Sequence, residues 1–273
     1  MKLEQDIHTT LENKYNIKFV QSRDRLEVYR YGLPQVIGRK GNNQSGRNGK
    51  GGGAKVEKNR RETLNKARNQ IIRLVNCNPD LTTFISLTYK ENMQDISLSK
   101  VDLSNCIRMM QRFWPGMKYL YVLEYQGRGA IHYHMLCNIP VPVKTAKSRQ
   151  LKPQEQKDFE NYFREVFWEH GWVDIRDLSQ EGNTNVGLYV SVYLVEDLYK
   201  LDLQGNRCYG YSRNLLKPTV STCYQLCDNI DIIQEFSEWY DIHYMSNYHI
   251  NYKNGFKEVN SNVNYFDMYE KER

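Results

Sequence analysis

The sequence predicts an α+β protein centred on an antiparallel sheet whose elements run β-α-β-β-α-β. Four short runs rich in β-branched and aromatic residues, at 82–89, 118–126, 130–139 and 171–178, supply the strands. Two amphipathic stretches of helix length, 99–114 and 155–169, fall after the first and third of them. A "GRG" turn joins the middle pair as a hairpin. This order is the split βαβ arrangement of a ferredoxin-like sheet with flanking helices.

The elements follow from local signals. The first 37 residues read as a short helix and two strands, "IKFVQ" and "LEVYRYG". Residues 38–54 are rich in Gly, Asn and Lys/Arg with no apolar anchor, which predicts a flexible basic loop. A basic helix follows over 55–77, with Leu64, Ala67, Ile71 and Leu74 on one face. "TTFISLTY" is the first strand of the central sheet, and the helix over 99–114 stops at Pro115-Gly116. After the last central strand, "GWVDIRDL", a helix is expected over 186–199 and a strand at "RCYGYS". The Tyr- and Asn-rich tail contains a hairpin turn at "YKNGF". The expected divisions are an N-terminal extension with its basic loop (1–54), a main domain (55–218) and an acidic C-terminal extension (219–273).

Charge is unevenly placed. Residues 38–77 hold eleven Lys and Arg against two Glu, a local net of +9 where the whole chain carries +6. Residues 219–273 hold four against nine Asp and Glu, a net of −5. A basic block in an otherwise slightly acidic chain predicts a polyanionic partner, with Arg60 and Arg61 among the groups that would meet phosphates. The six cysteines form no C-x-x-C pair. No apolar run nears the roughly 18 residues of a membrane span, and the first residues lack a signal-peptide core. A cytoplasmic protein with no membrane partner is therefore expected. No G-x-x-x-x-G-K-[ST] can be threaded through the sequence, which argues against a nucleotide cofactor and an ATP-driven helicase of its own.

The chemistry is expected around "AIHYHMLCNIP". His132 and His134 are two apart, so on a strand both point to one face. A hairpin turning about Arg128 puts Glu124 opposite His132, on the same face with Cβ atoms about 5 Å apart. Two imidazoles and a carboxylate would then share a site with open positions for substrate. A cupin would need a glutamate shortly after the second histidine, where Cys137 and Asn138 stand. A barrel amidohydrolase would need a longer chain and more ligands. "NVGLYVSVYLVEDLYK" places Tyr189 and Tyr193 one helical turn apart. A tyrosine can act as a nucleophile toward a phosphodiester.

"FISLTY" (84–89), "HYH" (132–134) with Glu124 upstream, and "YVSVY" (189–193) resemble, in order and spacing, the three motifs of HUH endonucleases. More narrowly, about 160 residues, from 58 to 218, are similar to the rolling-circle replication initiators of bacterial plasmids and phages. "YLYVLEYQGRGAIHYHMLCNIP", "WEHGWVDI", "NVGLYV" and "YGYSRNLLKP" carry that likeness. The resemblance implies an HUH nuclease domain with Glu124, His132 and His134 as ligands of Mg²⁺ or Mn²⁺. It implies Tyr189 as nucleophile, Tyr193 as a second tyrosine, and the strand of Thr88 as a DNA-binding floor. Lys90, Arg128 and Arg213 are further expected DNA contacts.

The expected activity is site-specific nicking and joining of single-stranded DNA through a phosphotyrosine. The expected partners are single-stranded or hairpin origin DNA and a host helicase and polymerase. Family members usually carry a lysine three residues after the first tyrosine, and here Val192 stands there. A relaxase- or transposase-type strand transferase and a catalytically weak origin-binding regulator are the alternative readings.

Overall fold

The computed structural model describes residues 13–36, 53–146, 150–181, 207–224, 234, 236–254 and 257–271, without the side chains of 53–61, 180–181 and 252–258. Among these residues the chain is α+β, with two antiparallel five-stranded sheets and three α-helices. It divides into two compact units, one of residues 51–216 and one drawn from both ends of the chain.

The central unit begins with α1 (Gly53–Cys77), followed by β3 (Thr83–Tyr89), α2 (Ile96–Phe113), β4 (Tyr119–Tyr125) and β5 (Ile131–Cys137). It continues with α3 (Gln154–Phe167), β6 (Gly171–Asp177) and the short β7 (Tyr209–Tyr211). The sheet order is β6-β3-β5-β4-β7. Each expected strand is present to within two residues at either end. The α2 helix starts at Asp95, whose carboxylate accepts from the Ser97 and Leu98 amides, a cap worth about 1 kcal/mol. The β4–β5 hairpin closes through Gly129 at φ +83°, the left-handed conformation a three-residue loop requires.

Alternation sorts the side chains of this sheet. Ile85, Leu87, Tyr133, Met135, Leu123 and Ile175 face one way and are almost fully buried. On that face the Tyr133 hydroxyl bonds to Ser99 Oγ of α2 at 2.9 Å. The α3 helix lies along the β6 edge: Gln156 donates to the Ile175 carbonyl, and Glu160 accepts from the Ile175 amide. These bonds satisfy backbone groups that an edge strand otherwise leaves open. Gly171 pairs with Tyr89, and a Cβ there would stand 2.0 Å from the Thr88 carbonyl oxygen, so no side chain fits.

The second unit is a sheet in the order β8-β1-β2-β10-β9. Its strands are β1 (Lys14–Ser22), β2 (Arg25–Val36), β8 (Thr219–Cys223), β9 (Tyr240–Asn254) and β10 (Lys257–Glu270). The segments expected as separate N- and C-terminal extensions thus share one sheet, through β1–β8 and β2–β10 pairing. Its apolar centre is Ile17, Leu26, Val28 and Met268. The β9 and β10 strands pair from Asn254 and Lys257, and the two residues at the centre of the expected turn lie outside the described residues. So do the expected N-terminal helix, most of the basic loop, and the helix over 186–199.

Candidate metal centre

The second face of the central sheet carries the polar residues, and strand register arranges them in rows. Glu124 of β4, His132 of β5, Thr88 of β3 and Trp172 of β6 are direct cross-strand partners. The next row is Val122, His134, Ser86 and Asp174. The third, Leu120, Leu136, Phe84 and Arg176, is apolar and buried in its first three members. Along the strands the face therefore changes from closed core to open polar surface, and the two histidines sit at the change.

Glu124, His132 and His134 each offer a ligand atom, and these atoms lie within 4.8 Å of one another. No other group of three or more His, Cys, Asp or Glu among the described residues does so. His134 Nε2 and Glu124 Oε2 are 2.5 Å apart. The two imidazole centroids are separated by 4.5 Å, and Phe84 stacks on His134 at 5.3 Å.

Hydroxyls of β3 fix the opposite nitrogens. Ser86 Oγ is 3.0 Å from His134 Nδ1, and Thr88 Oγ1 is 2.9 Å from His132 Nδ1. A hydroxyl accepting from Nδ1–H sets the tautomer that leaves a lone pair on Nε2. Burial pushes both imidazoles down to about 4, and for His132 the neighbouring His134 adds to the effect. Both are neutral at pH 7, the state a metal ligand needs. One carboxylate and two neutral nitrogens fit a divalent cation that keeps open positions.

The other expected residues are placed unevenly. Thr88 belongs to the histidine row. Lys90 follows it and is exposed. Arg128 lies in the β4–β5 turn at the same end, but its guanidinium donates to the Tyr89 carbonyl at 2.6 Å, the Lys90 carbonyl at 3.4 Å and Gln126 Oε1 at 3.2 Å. Arg213 follows β7, where Ser212 meets Tyr119, so it stands at the far end of the strands, roughly 17 Å along β4 from Glu124. Arg60 and Arg61 fall on α1, with side chains outside the described residues. Tyr189 and Tyr193 also lie outside the described residues.

Sequence reasoning did not find Ser86 as a histidine partner or Trp172 as a member of the row. The alternating Phe84-Ser86-Thr88 of "FISLTY" carried the first signal, and "GWVDI" the second.

Residues 82–198, less than half of the chain, match the family model of replication-associated protein ORF2, a family of replication initiators. The match spans β3, the Glu124–His132–His134 cluster and the two tyrosines. It points to replication initiation and, with it, to DNA binding. No curated protein and no solved structure gives a significant match. Among the described residues no helix is long and apolar enough to cross a membrane.

Proposed function

We propose that the chain is a metal-dependent, site-specific nickase and joining enzyme for single-stranded DNA that initiates rolling-circle replication of a plasmid or phage. The observation that carries this reading is the convergence of Glu124, His132 and His134 on one sheet face, inside the stretch similar to replication initiators. The strand order β6-β3-β5-β4, read with the helices after β3 and β5, supports a ferredoxin-like HUH domain.

Glu124 and the two Nε2 atoms would hold Mg²⁺ or Mn²⁺, with Ser86 and Thr88 orienting the rings. The bound cation supplies Lewis-acid polarisation of a phosphoryl oxygen. Tyr189 is the proposed nucleophile. Its phenolic oxygen forms a bond to phosphorus as the bond from phosphorus to the 3′ oxygen breaks. The phenolic proton goes to solvent, and the departing 3′ oxygen takes up a proton to become a free 3′-OH for a host polymerase. The 5′ end stays on the protein until the reverse attack rejoins it. A phenol with an ordinary pKa near 10 attacks slowly at neutral pH, and Val192 brings no cation in place of the usual lysine.

The test is covalent capture on a suicide oligonucleotide carrying the origin nick site. Tyr189→Phe should abolish the protein–DNA adduct, whereas Tyr193→Phe should retain it. The opposite pattern would make Tyr193 the nucleophile. No adduct and no nicking from the wild-type chain would favour the regulator reading, in which Val192 is the mark of lost chemistry.

A further inference from the structure

Trp172 is the outermost member of the metal row, two strands from His132, or roughly 10 Å at ordinary strand spacing. It is 54% exposed and stacks on no other ring among the described residues. An open indole on an edge strand is a poor choice for packing or solubility. Beside it, between β6 and α3, runs a cleft of about 460 Å³ lined also by Thr88, Lys157, Asn161 and Arg164. Positions 157, 161 and 164 lie on one face of α3.

The charges of this cleft do not cancel locally. Glu160 and Asp174 also line it, and both are engaged: Lys152 binds Glu160 at 2.7 Å and Asp174 at 2.5 Å, and Arg176 binds Asp174 at 3.0 Å. The side chains of Lys157 and Arg164 have no ion pair or hydrogen bond among the described residues. A planar aromatic group and two cations at helical spacing therefore border one cleft that opens on the His132 partner, Thr88.

We infer that the β6–α3 cleft seats the single DNA strand flanking the scissile phosphate, with a base stacked on Trp172 and phosphates on Lys157 and Arg164. This inference rests on the nickase reading and deepens it by assigning where its substrate strand runs. Stacking tolerates any base, so the cleft contributes affinity and alignment, not sequence choice.

The experiment is fluorescence anisotropy of a labelled oligothymidylate with the full chain in EDTA, over a series of salt concentrations. Trp172→Ala should weaken binding by roughly 5- to 100-fold, and Trp172→Phe should restore most of it. Lys157→Gln with Arg164→Gln should flatten the log–log salt slope by about 1.4, two phosphate contacts at about 0.7 each. Circular dichroism melting and Mn²⁺ titration check that each variant is folded. Wild-type affinity and slope in all the variants would overturn the cleft assignment while leaving the nickase reading standing. A wild-type chain with no affinity for the strand would overturn both. Tighter binding of oligouridylate than of oligothymidylate would overturn DNA as the occupant.

Discussion

In the sheet built from the chain ends, Asp267 meets Arg25 through two bonds of 2.7 and 2.9 Å, and Glu27 accepts from the hydroxyls of Tyr29 and Tyr265 at 3.1 and 3.0 Å. In the central sheet, Glu124 meets His134, and both point toward His132. The first cluster joins acids to a guanidinium and to O–H donors, so donors and acceptors answer one another within it. The second is made of three electron-pair donors, with hydroxyls behind the rings. Both sit on sheets with comparable burial, and only the second has the donor set of a cation site. Buried carboxylates therefore serve two ends in this chain, cross-linking in one sheet and ligation in the other.

The comparison breaks most visibly in the Arg25 network. Asp267→Ala leaves the guanidinium of Arg25, a residue 9% exposed, without its bidentate partner. Removing one partner of such a pair costs about 3–5 kcal/mol, far more than the pair contributes over an apolar replacement. Urea unfolding of the metal-free chain should show that loss. A loss under about 1 kcal/mol would mean the network is loosely held and the contrast with the metal cluster is false.

A smaller effect is expected behind the histidines. Ser86→Ala and Thr88→Val remove the hydroxyls that fix the imidazole tautomers. Losses of this kind lower metal affinity about 10- to 100-fold, which Mn²⁺ calorimetry can read. The same titration gives the pH dependence. The folded imidazoles sit at about 4, below their ordinary value of 6.5, so protons begin to compete with the metal only near pH 4. Imidazole protonation should leave affinity nearly flat from pH 8 to about 5 and lower it below that. For the metal-free fold the sign is the same: the unfolded chain takes up protons below about 6.5 while the folded one does not, so this stability is lost as pH falls from about 6.5 to 4. An affinity that declined already from pH 7 would show imidazoles more exposed than the row implies.

How much of this was legible in the sequence follows from distance along the chain. The Glu124–His132 pairing could be counted from the hairpin, because a three-residue turn sets the register of the strands it joins. The pairing of β3 with β5 puts Ser86 behind His134 and Thr88 behind His132, but a helix and a strand intervene and no turn fixes that register. Trp172 enters the row only through β6, another helix further on. The sheet of the chain ends was least legible. Arg25 and Asp267 become partners across 242 residues, and alternation within β2 or β10 names neither the partner strand nor its offset.

The smallest expected effect tests the comparison most directly. Glu124→Gln keeps the shape of the side chain, and its amide N–H can donate to the Nε2 lone pair of His134 in the metal-free protein. If the carboxylate is there to bind a cation and not to hold the fold, its charge is dispensable for stability. The metal-free chain should then change by less than about 1 kcal/mol in urea, within the range of substitutions that break no structural feature. The metal-bound state should behave differently, because an amide oxygen carries no charge to offset that of the cation. Saturating Mn²⁺ stabilises the wild type in proportion to the logarithm of its concentration over Kd, and this increment should shrink in the variant. A Glu124→Gln chain that is strongly destabilised without metal, like Asp267→Ala, would place Glu124 with the cross-linking acids and remove the basis for treating the two clusters as different kinds of site.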